Sequence, residues 1–277
     1  MRIQVQTVLL LLIGLAAGAL VAGAVVLYAG FYNVAATHQH LRPTFWLLRT
    51  GLRESIQRHA RHIEAPALDR GLVTRGLALY HAHCQQCHGA PGISPEPFAL
   101  GMTPVPANLA HLVRERTPAE LFWVVRNGIK MTGMPAWEFR LADGDLWAVV
   151  AFLLELPSIM PQQYADAVRA LEAAPLLTAD AGVSEGDAKR GRVALEQYAC
   201  ATCHKIPGVV GEHAPVGPPL DRIATREYLA GVLRNSRDNM VRWLRSPQEI
   251  HPGTTMPNLG VSERDARDMT AYLYTLR

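Results

Sequence analysis

Cys84-Gln85-Gln86-Cys87-His88 and Cys200-Ala201-Thr202-Cys203-His204 use all four cysteines of this 277-residue chain. Two thiols separated by two residues and followed directly by histidine form the attachment signature of c-type haem. The chemistry needs these residue types at this spacing. The thiols add across the two vinyl groups of a porphyrin, and the two intervening residues let the chain bridge both. The adjacent imidazole is placed beneath the metal. The sequence therefore calls for two covalently bound haem c groups. Cys84 and Cys87 would hold one, Cys200 and Cys203 the other, with His88 and His204 as iron ligands. Four cysteines in an exported protein also suit two disulfides, but thioether attachment better explains a histidine after each pair. A zinc site needs four converging N/S ligands, and nothing in this spacing requires one.

The second axial position of each iron separates a carrier from an enzyme. A thioether there closes the iron and raises its potential, whereas an empty position admits peroxide, oxygen or carbon monoxide. In the second half the candidate is Met256, in Gly253-Thr254-Thr255-Met256-Pro257. Met240 and Met269 fall within expected helices and read as core. In the first half Met134 shares the Met-Pro context, in Gly133-Met134-Pro135-Ala136-Trp137. Met131 and Met102 are the alternatives. The Pro218 carbonyl is expected beside His204, where it would orient the ring and strengthen it as a donor. Pro104 or Pro106 would do the same for His88. His81 and His83 read as helix surface, and His111, His213 and His251 as loop or surface. His38, His40, His59 and His62 belong to the stretch before the first motif.

The elements that must position these residues are helical. Residues 72–83 read as a helix leading into the first motif. Thr117-Pro118-Ala119-Glu120 has capping-box spacing with proline at the first helical position, and Asn127-Gly128 ends that helix. Asp143 or Asp145 opens a last helix that Pro157 stops. Residues 159–183 are rich in Ala and Pro and read as a linker, partly helical. Ser184-Glu185-Gly186-Asp187 opens the helix before the second motif. Residues 226–233 and 240–245 are expected as short helices, and Ser262-x-x-Asp265 opens the final one. The halves form an internal repeat, in which Ala151-Phe152-Leu153-Leu154 corresponds to Ala271-Tyr272-Leu273-Tyr274. No alternating pattern is long enough for a sheet. The expectation is an all-α chain with cytochrome-like domains at 71–158 and 184–277.

No charged residue occurs from Ile3 to Thr37, and residues 8–31 are long enough to cross a bilayer as a helix. An uncleaved anchor over residues 1–37 is the reading. A cleaved signal is the alternative, disfavoured because a signal's apolar region is shorter and Val34-Ala35-Ala36 is only a weak cleavage cue. Arg2 precedes the span, while Arg42, Arg49, Arg53, Arg58 and Arg61 follow it, so the charge rule gives no help with orientation. Haem c is attached outside the cytoplasm, which places the bulk of the chain on the periplasmic side. Gly14, Gly18 and the neighbouring small residues offer a face for another helix. Residues 38–70 alternate Phe45, Trp46, Leu47, Leu48, Leu52 and Ile56 with arginines. That suits a helix lying on a membrane surface, on a partner, or on the chain's own first domain. A formal charge of +3, with no basic tract interleaved with aromatics, gives no case for nucleic acid.

At these residues the chain resembles a pair of class I cytochrome c domains behind a membrane anchor. Residues 216–220, Met240-Val241-Arg242-Trp243-Leu244-Arg245-Ser246-Pro247 and Met256-Pro257-Asn258-Leu259-Gly260 are similar to the cytochrome c domain fused to subunit II of some haem–copper oxidases. Cys-His-Gly-Ala-Pro-Gly and Gly-Met-Pro-Ala-Trp resemble the mono-haem modules of membrane dihaem cytochromes. The resemblance implies His/Met ligation and electron transfer in bacterial respiration. It points to a single-pass protein of the inner membrane that carries electrons from a quinol-oxidising complex or dehydrogenase to a terminal oxidase. That is electron transfer rather than catalysis of its own. A cytochrome subunit of a dehydrogenase and a dihaem peroxidase are the other readings. The chain has one expected span and no upstream Cys/His cluster for a dinuclear copper centre, so it departs from an oxidase subunit II.

Overall fold

The computed structural model describes residues 2–173, 185–211 and 216–277, with side chains from residue 5 onward. Ser184, His213 and the second half of the expected linker lie outside the described residues. Helix α1 spans Arg2–Tyr28. Its stretch Val5–Tyr28 is long and apolar enough to cross a membrane, and none of it is buried in the protein. The chain divides into two compact units, residues 1–176 and 177–277.

In the first unit, α2 spans Arg42–Ala60 and α3 spans Arg70–His83. Helix α3 opens on Asp69, whose carboxylate accepts from the Leu72 amide at 2.9 Å. Helix α4, Pro118–Asn127, opens on the expected capping box. Thr117 Oγ1 accepts from Glu120 N, and Glu120 Oε2 accepts from Thr117 N. Two orphan amides are satisfied reciprocally. Helix α5, Asp143–Glu155, has Ala142 at its N-cap. Asp143 and Asp145 therefore lie in its first turn, where their charge suits the positive end of the helix, and neither is the cap. Asp145 pairs with Arg75 of α3.

Helix α5 is buried on several sides, from Leu146 to Leu153 with Trp147 half-buried. It crosses α3 at Gly76, where a β-carbon would lie 1.9 Å from the Ala148 carbonyl oxygen. Only a glycine lets the two backbones meet this closely.

The expected linker needs correction over its first half. Pro161–Ala173 is helix α6, and Tyr164 is buried in the first core beside Phe152. Ala167, Val168 and Leu171 pack against the same core. Tyr164, Ala167, Val168 and Leu171 stand at i, i+3, i+4 and i+7, one face of a helix. The alanine content concealed that spacing.

In the second unit, α7 spans Ala188–Gln197 and is capped by Asp187, which accepts from Arg190 N at 2.8 Å. Helix α8 spans Arg237–Arg245 and α9 spans Glu263–Leu273, the latter capped by Ser262 as expected. Residues 226–233 do not form the expected helix. Strands β1 (Tyr228–Leu229) and β2 (Leu233–Arg234) pair as a small antiparallel hairpin. Ala230 and Gly231 turn it with φ of 49° and 74°. A helix cannot continue through two such residues. Helices α7 and α9 repeat the first unit's crossing. A β-carbon on Gly191 would lie 1.8 Å from the Asp268 carbonyl oxygen. Ala148 and Asp268 each stand three residues before Ala151 and Ala271, so the sequence repeat is also a repeat of contact points.

Candidate functional site

Each motif follows directly from the helix that the glycine crossing fixes. In the first, Cys84 closes α3, and Gln85–His88 form a single helical turn. In the second, Cys200–Thr202 form a 3-10 turn. The amides of His88 and His204 both donate to the carbonyl of the first cysteine of their motif, at 3.0 Å each. One turn of chain thus groups two thiols and an imidazole in both places. All four thiols are free of disulfides. Burial, with the neighbouring Cys87 charge second, pushes the Cys84 thiol up to about 12. Burial also pushes Cys200 up to about 11. A thiol held neutral in apolar surroundings is a poor metal ligand. Among the described residues, no group of three or more His, Cys, Asp or Glu could hold a metal ion.

His204 Nδ1 donates to the Pro218 carbonyl at 2.8 Å, the expected partner. Gly217 makes the approach possible, since a β-carbon there would lie 2.4 Å from His204 Cε1. His88 Nδ1 instead donates to the Ala107 carbonyl at 2.9 Å, neither to Pro104 nor to Pro106. The loop presents the carbonyl one residue later than the prolines suggest. Burial lowers the His88 pKa, against the opposing effect of the Ala107 bond. With Nδ1 turned to a carbonyl in both rings, Nε2 is the nitrogen left to face a metal.

The methionine loops also match. The Met134 amide donates to Thr132 Oγ1 at 3.1 Å, and the Met256 amide to Thr254 Oγ1 at 3.3 Å. Thr-x-Met-Pro occurs in both halves, a signal the Met-Pro reading did not use. Gly128, with φ 64°, lets the end of α4 lie against residues 134–136, where a β-carbon would come 2.6 Å from Pro135 C. Met134 and Cys84 pack on the first core, Met256 and Cys200 on the second. Met131 is 98% exposed and points away from the core. Met102 lies under Gly133, 2.6 Å from where a β-carbon would be. Met240 and Met269 are buried core residues, as the sequence implies.

A cleft of about 390 Å³ opens beside His88, lined by Tyr80, Pro95, Leu109, Leu156 and Ile159 among others. Met134 does not line it. Tyr80 donates to the Gly89 carbonyl at 2.6 Å. Tyr164 of α6 donates to Gln85 Oε1, inside the motif itself, at 2.5 Å. His81 Nδ1 reaches the same oxygen at 2.9 Å, and His83 lies against the Trp137 ring. Both histidines are therefore half-buried rather than on the helix surface. Paired free thiols directly before an imidazole with one nitrogen committed to a carbonyl fit a covalently attached porphyrin.

These two domains are cytochrome c domains, and the chain is a cytochrome c that carries two of them in succession. Residues 71–153 match the family described as cytochrome C oxidase, cbb3-type, subunit III. Residues 188–277 match the family described as cytochrome c. Cytochrome c domains imply covalently bound haem c and electron transfer. The chain is 34% identical over 91 residues to cytochrome c oxidase subunit 2 of Alkalihalophilus pseudofirmus, covering 32% of this chain and 26% of that protein. It is 35% identical over 100 residues to dihydro-heme d1 dehydrogenase of Pseudomonas aeruginosa, covering 36% of this chain and 19% of that protein. A cytochrome c oxidase subunit 2 of Bacillus subtilis is 32% identical over 85 residues, 28% of this chain and 24% of that protein. The chain thus spans only about a quarter or less of the length of each relative.

Proposed function

We propose that this chain is a membrane-anchored dihaem c-type cytochrome that delivers electrons to a terminal haem–copper oxidase in a bacterial respiratory chain. Helix α1 crosses the inner membrane once, and the two domains lie in the periplasm. Cys84 and Cys87 hold one haem covalently, and Cys200 and Cys203 hold the other. His88 and Met134 would ligate the first iron, and His204 and Met256 the second. Bound there, the haems supply one-electron chemistry.

The residues do the positioning. The Ala107 and Pro218 carbonyls fix the imidazoles and make them stronger donors. Thr132 and Thr254 hold the methionine loops through a backbone amide. The carrying observation is this shared arrangement. Both domains hold a carbonyl-fixed histidine and a threonine-pinned methionine, two ligands that would close an iron so that it passes electrons without binding substrate. Relatives named as oxidase subunits favour an oxidase as acceptor. The relative named dihydro-heme d1 dehydrogenase supports a second reading, the electron outlet of a dehydrogenase.

Purification from native membranes in mild detergent, with haem staining, tests the proposal. Co-purifying oxidase subunits support it, and a dehydrogenase subunit in their place shifts the assignment to the second reading. Stoichiometric carbon monoxide binding at one haem of the reduced protein would overturn the closed-iron reading and favour a peroxidase.

A further inference from the structure

Helix α2 has two halves with different surroundings. In the C-terminal half, Ile56 and Ala60 are buried, and His59 stacks on Trp123 of α4 with centroids 5.4 Å apart. That half is packed on the first domain. In the N-terminal half, Leu41, Phe45, Trp46, Leu47 and Leu48 are all more than half exposed. Four consecutive large apolar residues point to every side of a helix, since successive side chains turn by about 100°. A protein groove covers one side of a helix. Only a surrounding apolar medium covers all of them.

The local geometry says which medium. Thirteen residues, 29–41, separate α1 from α2. Tyr28, Phe31 and Tyr32 mark the end of the apolar stretch, where aromatic rings sit at a bilayer surface. Tyr32 Oη lies 2.8 Å from His40 Nδ1, which brings the start of α2 back to the end of the span. Thr103 of the first domain donates to the Ala36 carbonyl at 2.6 Å, so this connector is also tied to the domain. Arg42 and Arg49 are exposed. At the headgroup level they would meet anionic lipid phosphates.

We infer that the first turns of α2, residues 41–48, are inserted in the headgroup and upper acyl region of the bilayer that α1 crosses. The first domain is then docked on the membrane through α2 rather than hung from a flexible tether. The inference rests on the reading of α1 as a membrane span.

The test uses the full-length holoprotein in nanodiscs of phosphatidylethanolamine and phosphatidylglycerol. Spin labels go on Leu47→Cys, Gln57→Cys and Leu15→Cys in turn, with the unsubstituted protein as blank. All three positions are exposed, so the substitutions remove no packing. Position 47 should favour collision with oxygen over a water-soluble nickel chelate severalfold more than position 57, approaching position 15. Equal values at 47 and 57 would place α2 in water and overturn the inference while leaving the anchor intact. Shielding of 47 from both reagents would mean that a protein covers the helix, which also overturns it. A label at 15 as water-accessible as that at 57 would remove the anchor reading and the inference together.

Discussion

At the scale of single residues, the ligand assignments make opposite demands on neighbouring methionines. Met131 and Met134 are three residues apart, yet one is 98% exposed and the other packs on the core. Replacing Met134 or Met256 with alanine should open one iron. Carbon monoxide should then bind one equivalent of the reduced protein. The potential of that haem should fall by a sizeable part of the ~0.8 V range that axial ligands span. Met131→Ala should leave the spectrum, carbon monoxide binding and both potentials unchanged, as a redox titration would check. The attachment motifs were legible in the sequence because their chemistry is contiguous: five residues carry all of it. The carbonyl facing His88 was not, because it comes from 19 residues away and depends on the path of a loop. Its counterpart at Pro218 stands next to a glycine that touches the ring, which ties position to sequence more tightly.

At the scale of elements, each domain depends on a helix crossing that leaves no room for a methyl group. Gly76→Ala and Gly191→Ala each set a β-carbon within 2 Å of a backbone oxygen, where no rotamer can relieve the clash. Each should destabilise its own domain by at least ~3 kcal/mol, seen as a lowered melting temperature or reduced haem loading. The cap of α7 gives a gentler, pH-dependent effect. The Arg190 amide, foremost among its neighbours, holds the Asp187 carboxyl below the usual aspartate range, against the opposing effect of burial. A depressed folded-state value stabilises above the unfolded value of ~3.9. That contribution is lost as the pH falls through the folded value. Asp187→Ala should cost roughly 1 kcal/mol at neutral pH. Asp187→Asn should retain most of the cap and flatten the acid limb of the stability curve. The caps of α4 and α9 and the closing helices could be read from the sequence because each rests on local spacing, whereas the glycine crossings join residues more than 70 positions apart. The hairpin at residues 228–234 was hidden by helix-forming Ala and Leu, since its turn needs positive φ at Ala230 and Gly231. The packing of α6 on the first core was hidden because the stretch is rich in Ala and Pro and reads as a linker, although Tyr164, Val168 and Leu171 share one face.

At the scale of the whole molecule, each core is self-contained. Among the described residues, the first draws on residues between Ile63 and Leu171, the second on residues between Ala194 and Leu276, and neither uses α1. Unfolding should therefore proceed in two separable steps rather than one, with Gly191→Ala moving only the second domain's transition. The same independence predicts what happens when residues 1–37 are exchanged for a cleavable export signal. Both domains should still fold, take up haem and show unaltered absorption spectra, because no core contact is lost. Membrane binding should drop but not vanish. The apolar first turns of α2 remain, with Arg42 and Arg49 beside them, and one interfacial segment gives marginal, reversible attachment. The residual binding should depend on anionic lipid and weaken with salt, since exposed charges are screened within ~10 Å at 0.1 M. Vesicle sedimentation at low and high ionic strength would check this. Phe45→Ser with Leu48→Ser should release the truncated protein altogether. If the truncated protein bound no vesicles even at low salt, α1 alone would account for membrane attachment, and the arginines of α2 would be ordinary solvated surface.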